Sequence, residues 1–570
     1  MIGRENIGAL NAARARSIVR ACVAQGVRHA VVSPGSRNTP VLLALAAANI
    51  DVRVILDERA AGVFALGLSK AAGSPTLLSC TSGSAGANYL PAVVEASHGR
   101  TAIVVVTADR PEELQGCGAP QTMNQIGLYG SFCGRSEHLP APQTSADVND
   151  TEALVETLVQ YAAEHRGPVH LNVAFREPLW DGGSMPDEVA LPREVIAPRP
   201  LDIDPSEFSQ LCGFRGVFVC GPDTVESEAQ RTVILAAAER LGWPVLAEAS
   251  SGVRFGADHV NLVTTYDAVM RSDTSDALAP EVVVRFGKTS TSRALNEWLS
   301  RARPSRFLLV DSSPVSYDPD QLAHQHIRVS AAHFCEQLMT WADLHPCEQT
   351  WLERWQRCEA GAQGLIATLV KSSWWEGAVA HRVLASLPEG AALHLANSMP
   401  IRDVDSVCIA GGRHLRVFTN RGVNGIDGTV ATAIGEANGV DDGPMVLLVG
   451  DLAFLHDAAS LALAGAKRIT IVVVDNRGGG IFGFLPIAKH PTEFERLFIT
   501  EQETDPAAVA LAYGARVECV TNDQDLKIAL AEEIEREGVG VIVAKVSRQE
   551  NIDTHQRMWS QVATMMEALS

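Results

Sequence analysis

The chain has 570 residues, of which 46% are hydrophobic and 20% are charged, a composition typical of a soluble globular protein with three or four domains. Its formal net charge of −20 argues against a surface that binds nucleic acid or an anionic membrane. Eleven cysteines without a CxxC pair indicate neither a disulfide framework nor a zinc site. The N-terminus is charged throughout and no apolar run spans a membrane, so we expect a cytoplasmic protein.

Residues 1–182 show a repeated strand–helix rhythm. Residues 5–25 carry apolar side chains at helical spacing. Four segments follow, each with a short β-branched run, a break of small, polar or charged residues and, in most cases, a helical pattern. A last strand is predicted within 167–175. This alternation predicts a parallel sheet that is covered on both faces.

The rest of the chain predicts two further modules of the same kind. Residues 183–205 contain five prolines and little periodicity, so they are predicted to be a linker. Residues 206–345 form a second α/β module without a GxGxxG fingerprint, so a dinucleotide is not indicated there. Residues 335–375 are predicted to be helical, with 346–375 as a helical linker to a third module at 376–570. The predicted fold class is α/β, with three doubly wound parallel-sheet modules.

The stretch from Val446 to Phe482 predicts a βαβ unit, with Asp451 closing its first strand and Asn476 closing its second. The carboxyl ends of parallel strands open at one edge of a sheet, where ligands bind, and neighbouring strands lie about 4.8 Å apart. The two side chains could therefore supply oxygen ligands to one hard cation such as Mg²⁺. The alternative is that Asp451 is a helix N-cap and Asn476 a turn residue.

This pattern resembles the metal-binding motif of thiamine diphosphate-dependent enzymes, which are built from three such modules. The resemblance implies that Asp451, Asn476 and the backbone carbonyl of Gly478 hold Mg²⁺ or Mn²⁺, which in turn holds the diphosphate of thiamine diphosphate. It also implies that residues 1–182 face the aminopyrimidine ring and that residues 376–570 bind the diphosphate. The general motif has GDG and a pair of asparagines, whereas this chain has GDL and Asp475-Asn476.

Further motifs resemble one family of that class, the 2-succinyl-5-enolpyruvyl-6-hydroxy-3-cyclohexene-1-carboxylate synthases (MenD family) of menaquinone biosynthesis, in which GDL is the usual form. Members decarboxylate 2-oxoglutarate on the cofactor and add the resulting succinyl carbanion equivalent to isochorismate in a conjugate addition. The matching segments are SPGSRNTP (33–40), DERAAGVFALGLSK (57–70), TSGSAGAN (81–88), ADRPEEL (108–114), GAPQTMNQ (118–125), NSMPIRD (397–403), NRGVNGIDG (420–428) and GGGIF (478–482).

The resemblance implies that Glu58 is the catalytic acid that hydrogen-bonds the aminopyrimidine ring. Burial raises the pKa of a carboxylic acid, and we expect Glu58 to be buried. The alternative is a first-turn glutamate favoured by the helix dipole. Ile426 matches an apolar wedge that props the cofactor in a bent shape. The cofactor-binding positions implied are Glu58, Asn397, Ser398, Ile426, Gly450, Asp451, Leu452 and Asn476.

Both substrates are dicarboxylates, so an acidic protein needs local cations, and the planar fork of arginine binds a carboxylate bidentately. Pro120 departs from the family's usual loop and lacks a backbone donor. Arg477, which follows the metal-binding asparagine, is either exposed or paired with a neighbouring acid. The substrate-binding positions implied are Ser36, Arg37, Arg110, Gln121, Arg402, Arg421, Ile481, Phe482 and Leu485.

The resemblance also implies a homodimer or homotetramer with the active site between chains. Two other functions stay open. One is a different thiamine diphosphate enzyme, such as an acetolactate synthase or a simple 2-oxoacid decarboxylase, although monoacid substrates do not need several cations. The other is a non-catalytic cofactor-binding regulator, against which the presence of Glu58, Asp451 and Asn476 argues.

Overall fold

A computed structural model describes residues 6–182, 203–204, 206–209, 211–341, 343–440 and 443–569. Apart from residues 203 and 204, which lie in neither helix nor strand, the predicted linker at 183–205 falls outside the described residues. The chain forms two compact units. The first consists of the described residues of Met1–Pro198, Asn420–Asp442 and His456–Lys467, and the second of those of Arg199–Thr419, Gly443–Leu455 and Arg468–Ser570.

Three six-stranded parallel sheets confirm the predicted α/β fold class. The first, in the order β2-β1-β3-β4-β6-β5, consists of β1 (His29–Val32), β2 (Asp51–Val54), β3 (Thr76–Cys80), β4 (Ile103–Asp109), β5 (Arg135–Leu139) and β6 (Val169–Ala174). The second, in the order β12-β11-β10-β7-β8-β9, consists of β7 (Gly216–Cys220), β8 (Val245–Ala247), β9 (Leu262–Val263), β10 (Val282–Phe286), β11 (Arg306–Val310) and β12 (Gln325–Ile327). The third, in the order β14-β13-β15-β16-β18-β17, consists of β13 (Ala392–Leu395), β14 (Arg416–Thr419), β15 (Met445–Gly450), β16 (Ile469–Asp475), β17 (Arg516–Val520) and β18 (Val539–Lys545).

Helices connect the strands in all three modules. In the first module they are α1 (Ile7–Ala24), α2 (Thr39–Ala47), α3 (Glu58–Ala72), α4 (Ser84–Asn88), α5 (Leu90–Gly99), α6 (Ala146–Asn149) and α7 (Thr151–His165). In the second and the segment after it they are α8 (Ser206–Ser209), α9 (Glu228–Leu241), α10 (Tyr266–Val269), α11 (Arg293–Ala302), α12 (Ala331–Thr340) and α13 (Gln349–Ser372). In the third they are α14 (Glu376–Ser386), α15 (Met399–Val407), α16 (Thr429–Gly439), α17 (Asp451–His456), α18 (Pro491–Phe494), α19 (Pro506–Ala512), α20 (Asp523–Glu533) and α21 (Arg548–Leu569).

The central strands are buried on both faces. Every residue of β3, β4, β6, β7 and β10 is buried. Burial on both faces explains the apolar stretches of β4, β7 and β10. The polar residues His170 and Asn172 of β6 are buried as well, and each has a hydrogen-bond partner.

The helical region predicted at 335–375 is wrong as one continuous element, because the described residues between α12 and α13 are not helical. Pro346 lies in this break, and a proline lacks the N–H group and disfavours helix in the residue before it. Helix α13 packs into the core of the second module through Trp351 and Trp355. The indole of Trp351 donates a hydrogen bond to the Gly216 carbonyl at 2.8 Å.

The helical pattern after Asp451 is also interrupted. Helix α17 ends at His456, and a 3₁₀ segment, Ala458–Leu463, follows it. Asp457 stands between the two with a non-helical backbone and accepts hydrogen bonds from the Ala431 N–H at 2.8 Å and from the Ser460 hydroxyl at 2.6 Å. The carboxylate thereby joins this segment to α16.

Glycines bring α3 and α16 into backbone contact within the first unit. A Cβ atom at Gly67 would lie 2.0 Å from the Thr432 carbonyl oxygen, and one at Gly435 would lie 2.2 Å from the Phe64 carbonyl oxygen. No side chain larger than hydrogen fits at such distances. The segment before α16 is therefore held near the helix that begins with Glu58.

Candidate active site

The ends of β15 and β16 lie side by side. The two strands pair in parallel with Gly450 opposite Val474, so Asp451 and Asn476 both follow adjacent strand ends, as predicted. Asp451 is buried; its Oδ1 accepts a hydrogen bond from the Leu452 N–H and its Oδ2 one from the Gly478 N–H, both at 2.8 Å. The second bond ties the two strand ends together directly.

Within the described part of the chain, the side-chain amide of Asn476 has a hydrogen-bond partner at only one of its two ends. Its Nδ2 donates a hydrogen bond to Glu376 Oε1 at 2.8 Å, whereas its Oδ1 is buried and has no hydrogen-bond partner among the described residues. The residue is only 9% exposed. Because a buried unpaired acceptor is costly, Asn476 Oδ1 is suited to a ligand. Gly478 has φ +131° and a Cβ there would lie 2.3 Å from the Ile499 carbonyl oxygen, so this turn requires glycine.

Burial changes the acidity of this site. It raises the pKa of Asp451 to about 6, although the N–H groups of Leu452 and Gly478 oppose the shift. Burial also raises the pKa of Glu376 to about 8, and the nearby Asp403 adds to that effect. A cavity of about 360 Å³ opens beside Asp451, and Asp475 and Lys545 also line it. Acidic and basic side chains therefore meet at one cavity beside the two strand ends.

Helix α15 begins beside an unusual backbone conformation. Ser398, its N-cap, has φ +72° and ψ −129°, a region that costs a non-glycine residue energy and is found at functional sites. The guanidinium of Arg402, one turn into the helix, donates a hydrogen bond to the Ser398 carbonyl at 2.6 Å. Asn397 and Ser398 are half-buried.

The apolar side chains after Asn476 are accessible. Ile481 and Phe482 are half-buried and Leu485 is 40% exposed. Phe482 packs edge-on against Phe498, with ring centroids 5.5 Å apart. Arg477 is exposed and also forms an ion pair with Glu501, so both alternatives left open for it hold.

In the first unit, Glu58 is the first residue of α3. Asp57 caps this helix by accepting a hydrogen bond from the Arg59 N–H at 2.9 Å. Glu58 is only half-buried in the single chain, so the expected burial is not found there.

Several predicted substrate-binding residues converge at the carboxyl ends of β1, β3 and β4. The Arg110 guanidinium donates to the Ser82 hydroxyl at 2.5 Å and to the Gln121 carbonyl at 2.9 Å. The Gln121 amide donates to the Ser82 carbonyl at 3.1 Å. Ser36 is exposed and precedes Arg37, whose N–H donates to Thr81 Oγ1 at 3.3 Å.

Arg37 is already engaged within the protein. Its guanidinium donates to the Phe175 carbonyl at 2.9 Å and forms a 3.1 Å ion pair with Glu177. Burial lowers the pKa of Arg37, and the positive charge of Arg110 lowers it further. The two arginines therefore lie close enough for their charges to interact, and Arg110 is the more accessible of the two.

The segment 420–428, which carries Arg421 and Ile426, is also in the first unit and is anchored by Glu95 and Lys70. Lys70 Nζ donates a hydrogen bond to Asn420 Oδ1 at 2.8 Å. The Glu95 carboxylate, fully buried, accepts hydrogen bonds from three successive backbone N–H groups of this segment. Ile426 is 40% exposed, so it is free to contact a ligand.

Glu95, Ser82 and Glu376 were missed by the sequence analysis. Ser82 lies in the matched segment TSGSAGAN, so proximity to that motif could have indicated it. Glu95 and Glu376 lie in ordinary helical sequence, and their contacts with the site span 328 and 100 positions respectively. No local signal identifies them.

Comparison with known proteins defines the class. Residues 13–128 match the N-terminal TPP binding domain of thiamine pyrophosphate enzymes, residues 202–395 their middle domain and residues 408–544 their C-terminal TPP binding domain. The benzoylformate decarboxylase of Polynucleobacter necessarius superimposes with a TM-score of 0.67 at 17% identity, covering 95% of this chain and 98% of that one. The chain therefore belongs to the class of thiamine pyrophosphate enzymes.

Curated relatives narrow the assignment to one family, and all three named here are 2-succinyl-5-enolpyruvyl-6-hydroxy-3-cyclohexene-1-carboxylate synthases. The one from Geobacillus kaustophilus is 38% identical over 96% of this chain and 97% of its own. Those from Listeria innocua and Bacillus velezensis are 35% and 37% identical, covering 97% and 93% of this chain and 98% and 94% of theirs. The chain belongs to the 2-succinyl-5-enolpyruvyl-6-hydroxy-3-cyclohexene-1-carboxylate synthase family.

Among the described residues, no helix is both long and apolar enough to cross a membrane. Within the same residues, no group of three His, Cys, Asp or Glu side chains is placed to hold a metal ion. Any cation at Asp451 therefore needs ligands of other kinds.

Proposed function

We propose that this protein decarboxylates 2-oxoglutarate and adds the remaining succinyl semialdehyde unit to isochorismate. The product is 2-succinyl-5-enolpyruvyl-6-hydroxy-3-cyclohexene-1-carboxylate, an intermediate of menaquinone biosynthesis. The observation that carries the proposal is the pairing of Asp451 with Asn476 at adjacent strand ends, in a chain that belongs to the synthase family.

The residues at these strand ends fit Mg²⁺ or Mn²⁺ together with a diphosphate. Asp451 offers a carboxylate, Asn476 Oδ1 is a buried oxygen without a partner among the described residues, and Gly478 has a backbone carbonyl in the same turn. Mg²⁺ is commonly held by one or two carboxylates, waters and phosphate oxygens, so a full cage of acidic residues is not required. Gly450, Leu452, Asn397 and Ser398 are proposed to contact the cofactor. When bound, thiamine diphosphate supplies the electron sink for decarboxylation.

Glu58 is proposed to hold a proton at the aminopyrimidine ring. The carboxyl of Glu58 at the start of α3 is half-exposed in the single chain. We propose that a second copy of the chain buries it. We therefore include self-association as a homodimer, or a dimer of dimers, in the proposal.

Arginines are proposed to bind the substrate carboxylates. Arg110, Arg402 and Arg421 are the direct ligands in this proposal, with hydrogen bonds from Ser36 and Gln121. Arg37 adds positive charge beside Arg110 while it remains bonded to Phe175 and Glu177. A charge-assisted hydrogen bond of this kind contributes roughly 1.5–3 kcal/mol.

Apolar side chains are proposed to exclude water from the reacting groups. Ile481, Phe482 and Leu485 lie beyond the Asn476 turn and are accessible, and Ile426 is accessible in the first unit. A dry site strengthens each electrostatic interaction inside it. These side chains also orient the cofactor by contact.

A product assay tests the proposal. Purified protein is mixed with thiamine diphosphate, Mg²⁺ and 2-oxoglutarate, with and without isochorismate, and carbon dioxide and the adduct are measured. We expect adduct formation in step with carbon dioxide release. Carbon dioxide release that is indifferent to isochorismate, without adduct, would indicate a simple decarboxylase. Replacement of 2-oxoglutarate by pyruvate tests the acetolactate synthase-like alternative.

A further inference from the structure

We propose that Glu376 is a positioning residue for the metal site, because it fixes which end of the Asn476 amide faces the cation. This inference rests on the proposed function, since it concerns the cation that Asp451 and Asn476 are proposed to bind. Glu376 lies at the first position of α14, 100 positions before Asn476 in the chain. It belongs to none of the sequence segments that indicated the site.

An asparagine amide can present either its oxygen or its NH₂ group in the same place. Only the oxygen can bind a cation, so the NH₂ group must face the other way and must find an acceptor there. Glu376 Oε1 supplies that acceptor at 2.8 Å, in a contact that is buried on both sides. The opposite end, Asn476 Oδ1, is buried and has no partner among the described residues. One contact therefore determines the orientation of the ligand.

The Asn476–Glu376 pair is closely packed on its other sides. A Cβ at Gly480 would lie 2.6 Å from Asn476 Nδ2 and 3.5 Å from Glu376 Oε1, so only glycine fits against this pair. Glu376 itself is held in a fully buried region that includes Asp403 and His555, which bond to each other at 2.9 Å. The acceptor is thus buried together with its donor.

The physical consequence is a requirement for an acceptor at residue 376. Without one, the NH₂ group of Asn476 loses its partner, and rotation of the amide by a half-turn places NH₂ toward the cation. Partners behind a metal ligand typically contribute ten- to hundredfold to metal affinity. The Glu376 side chain therefore acts on metal binding without touching the metal.

The first test measures Mn²⁺ affinity of the full-length protein in the presence of thiamine diphosphate, from the electron paramagnetic resonance signal of free Mn²⁺. Glu376→Leu removes the acceptor at similar volume, and we expect a ten- to hundredfold higher Kd. Glu376→Gln keeps an acceptor oxygen, and we expect a Kd within about threefold of the wild type. Glu359→Leu is the matched control, because Glu359 is a buried carboxylate that instead accepts hydrogen bonds from Thr264 and Thr265.

A second substitution keeps the test decisive if Glu376→Leu does not fold. Glu376→Met also removes the acceptor, with an unbranched side chain of similar length, and we expect the same ten- to hundredfold higher Kd for Mn²⁺. A role of Glu376 in packing alone predicts no difference between Glu376→Met and Glu376→Gln.

Three results would overturn the inference: wild-type Kd values in Glu376→Leu or Glu376→Met, equal losses in Glu376→Leu and Glu359→Leu, or Mn²⁺ binding by Glu376→Gln that is as weak as in Glu376→Leu. A wild-type protein that binds neither Mn²⁺ nor thiamine diphosphate would instead overturn the proposed function itself. The wild-type titration thus separates the two failures.

Discussion

The buried carboxylate of Glu95 holds the backbone of Val423, whose N–H donates to Glu95 Oε2 at 2.6 Å. The flanking N–H groups of Gly422 and Asn424 donate to the same carboxylate at 2.8 and 2.9 Å. Helix α5 thus sets the position of the segment that carries Arg421 and Ile426. Three oriented N–H groups stabilise the buried charge in place of a cation.

Replacement of Glu95 should loosen this segment. In Glu95→Gln one oxygen becomes an NH₂ group that faces backbone donors, and each buried donor left without an acceptor costs about 1–3 kcal/mol. We expect lower stability in urea and a severalfold higher KM for isochorismate. Glu164→Gln, on the exposed face of α7, is the control, and it should change neither the stability in urea nor the KM for isochorismate. If the KM for isochorismate is unchanged in Glu95→Gln, then the Glu95 carboxylate does not position Arg421.

Glu58→Gln should separate cofactor binding from turnover. The amide keeps the size of the side chain but cannot hold or release the proton, and general acid–base groups typically contribute 10²–10⁴-fold. We expect Mg²⁺-dependent binding of thiamine diphosphate within about threefold of the wild type by calorimetry, and at least a hundredfold lower turnover. Asp57→Asn, which retains a capping oxygen at the neighbouring position, should keep turnover. Full turnover in Glu58→Gln would refute the assigned role.

Asp451→Asn should weaken the retention of cofactor. The substitution removes the carboxylate proposed to bind the cation, while one oxygen remains to accept a hydrogen bond from Leu452 or Gly478. We expect at least tenfold weaker Mg²⁺-dependent binding of thiamine diphosphate by calorimetry. Asp475→Asn, a change in the same cavity, is the control. If Asp451→Asn and Asp475→Asn weaken binding of thiamine diphosphate equally, the net charge of the cavity matters and the position of Asp451 does not.

A buried ion pair should stabilise the second unit. Arg254 and Asp405, both almost fully buried, bond at 2.7 Å, and Tyr266 donates a further hydrogen bond to Asp405. Arg254→Met leaves a buried carboxylate unpaired, which typically costs about 3–5 kcal/mol of unfolding free energy. Adding Asp405→Leu should restore part of that loss, as urea denaturation can measure. If the free energy of unfolding of Arg254→Met lies within about 1 kcal/mol of the wild-type value, this expectation is contradicted.

Acid should destabilise the first unit through His170. Burial lowers the pKa of His170 to about 4, and the positive charge of His138 contributes. The folded state resists a proton that the unfolded chain accepts below about pH 6.5. Stability is therefore retained above pH 6.5 and falls as the pH drops to 4, by roughly 3 kcal/mol.

The variant His170→Gln should flatten that pH dependence, with the difference from wild type vanishing above pH 6.5. Exposed His165 provides the control, and His165→Gln should follow the wild-type curve. Equal slopes for His170→Gln and wild type between pH 6.5 and 4 would contradict the expectation.

Long buried strands were predictable, and short edge strands were not. The apolar runs in β7, β10 and β11, strands of five residues each, are visible in the sequence because hydrophobic burial dictates their composition. Strands β9 and β12 have two and three residues and lie at the edges of the second sheet, where neither length nor pattern provides a signal. The break between α12 and α13 was likewise missed, although Pro346 indicated it.

The sequence by itself determined the class, the family resemblance and the placement of Asp451 and Asn476, because strand ends and motifs are local features of the chain. Only the tertiary structure decided that Glu376 orients Asn476, that Glu95 anchors the Arg421 segment and that Arg37 is already bonded. Those contacts join residues 100 or more positions apart, and packing of whole elements creates them. A local pattern carries no information about which distant side chain completes a hydrogen bond.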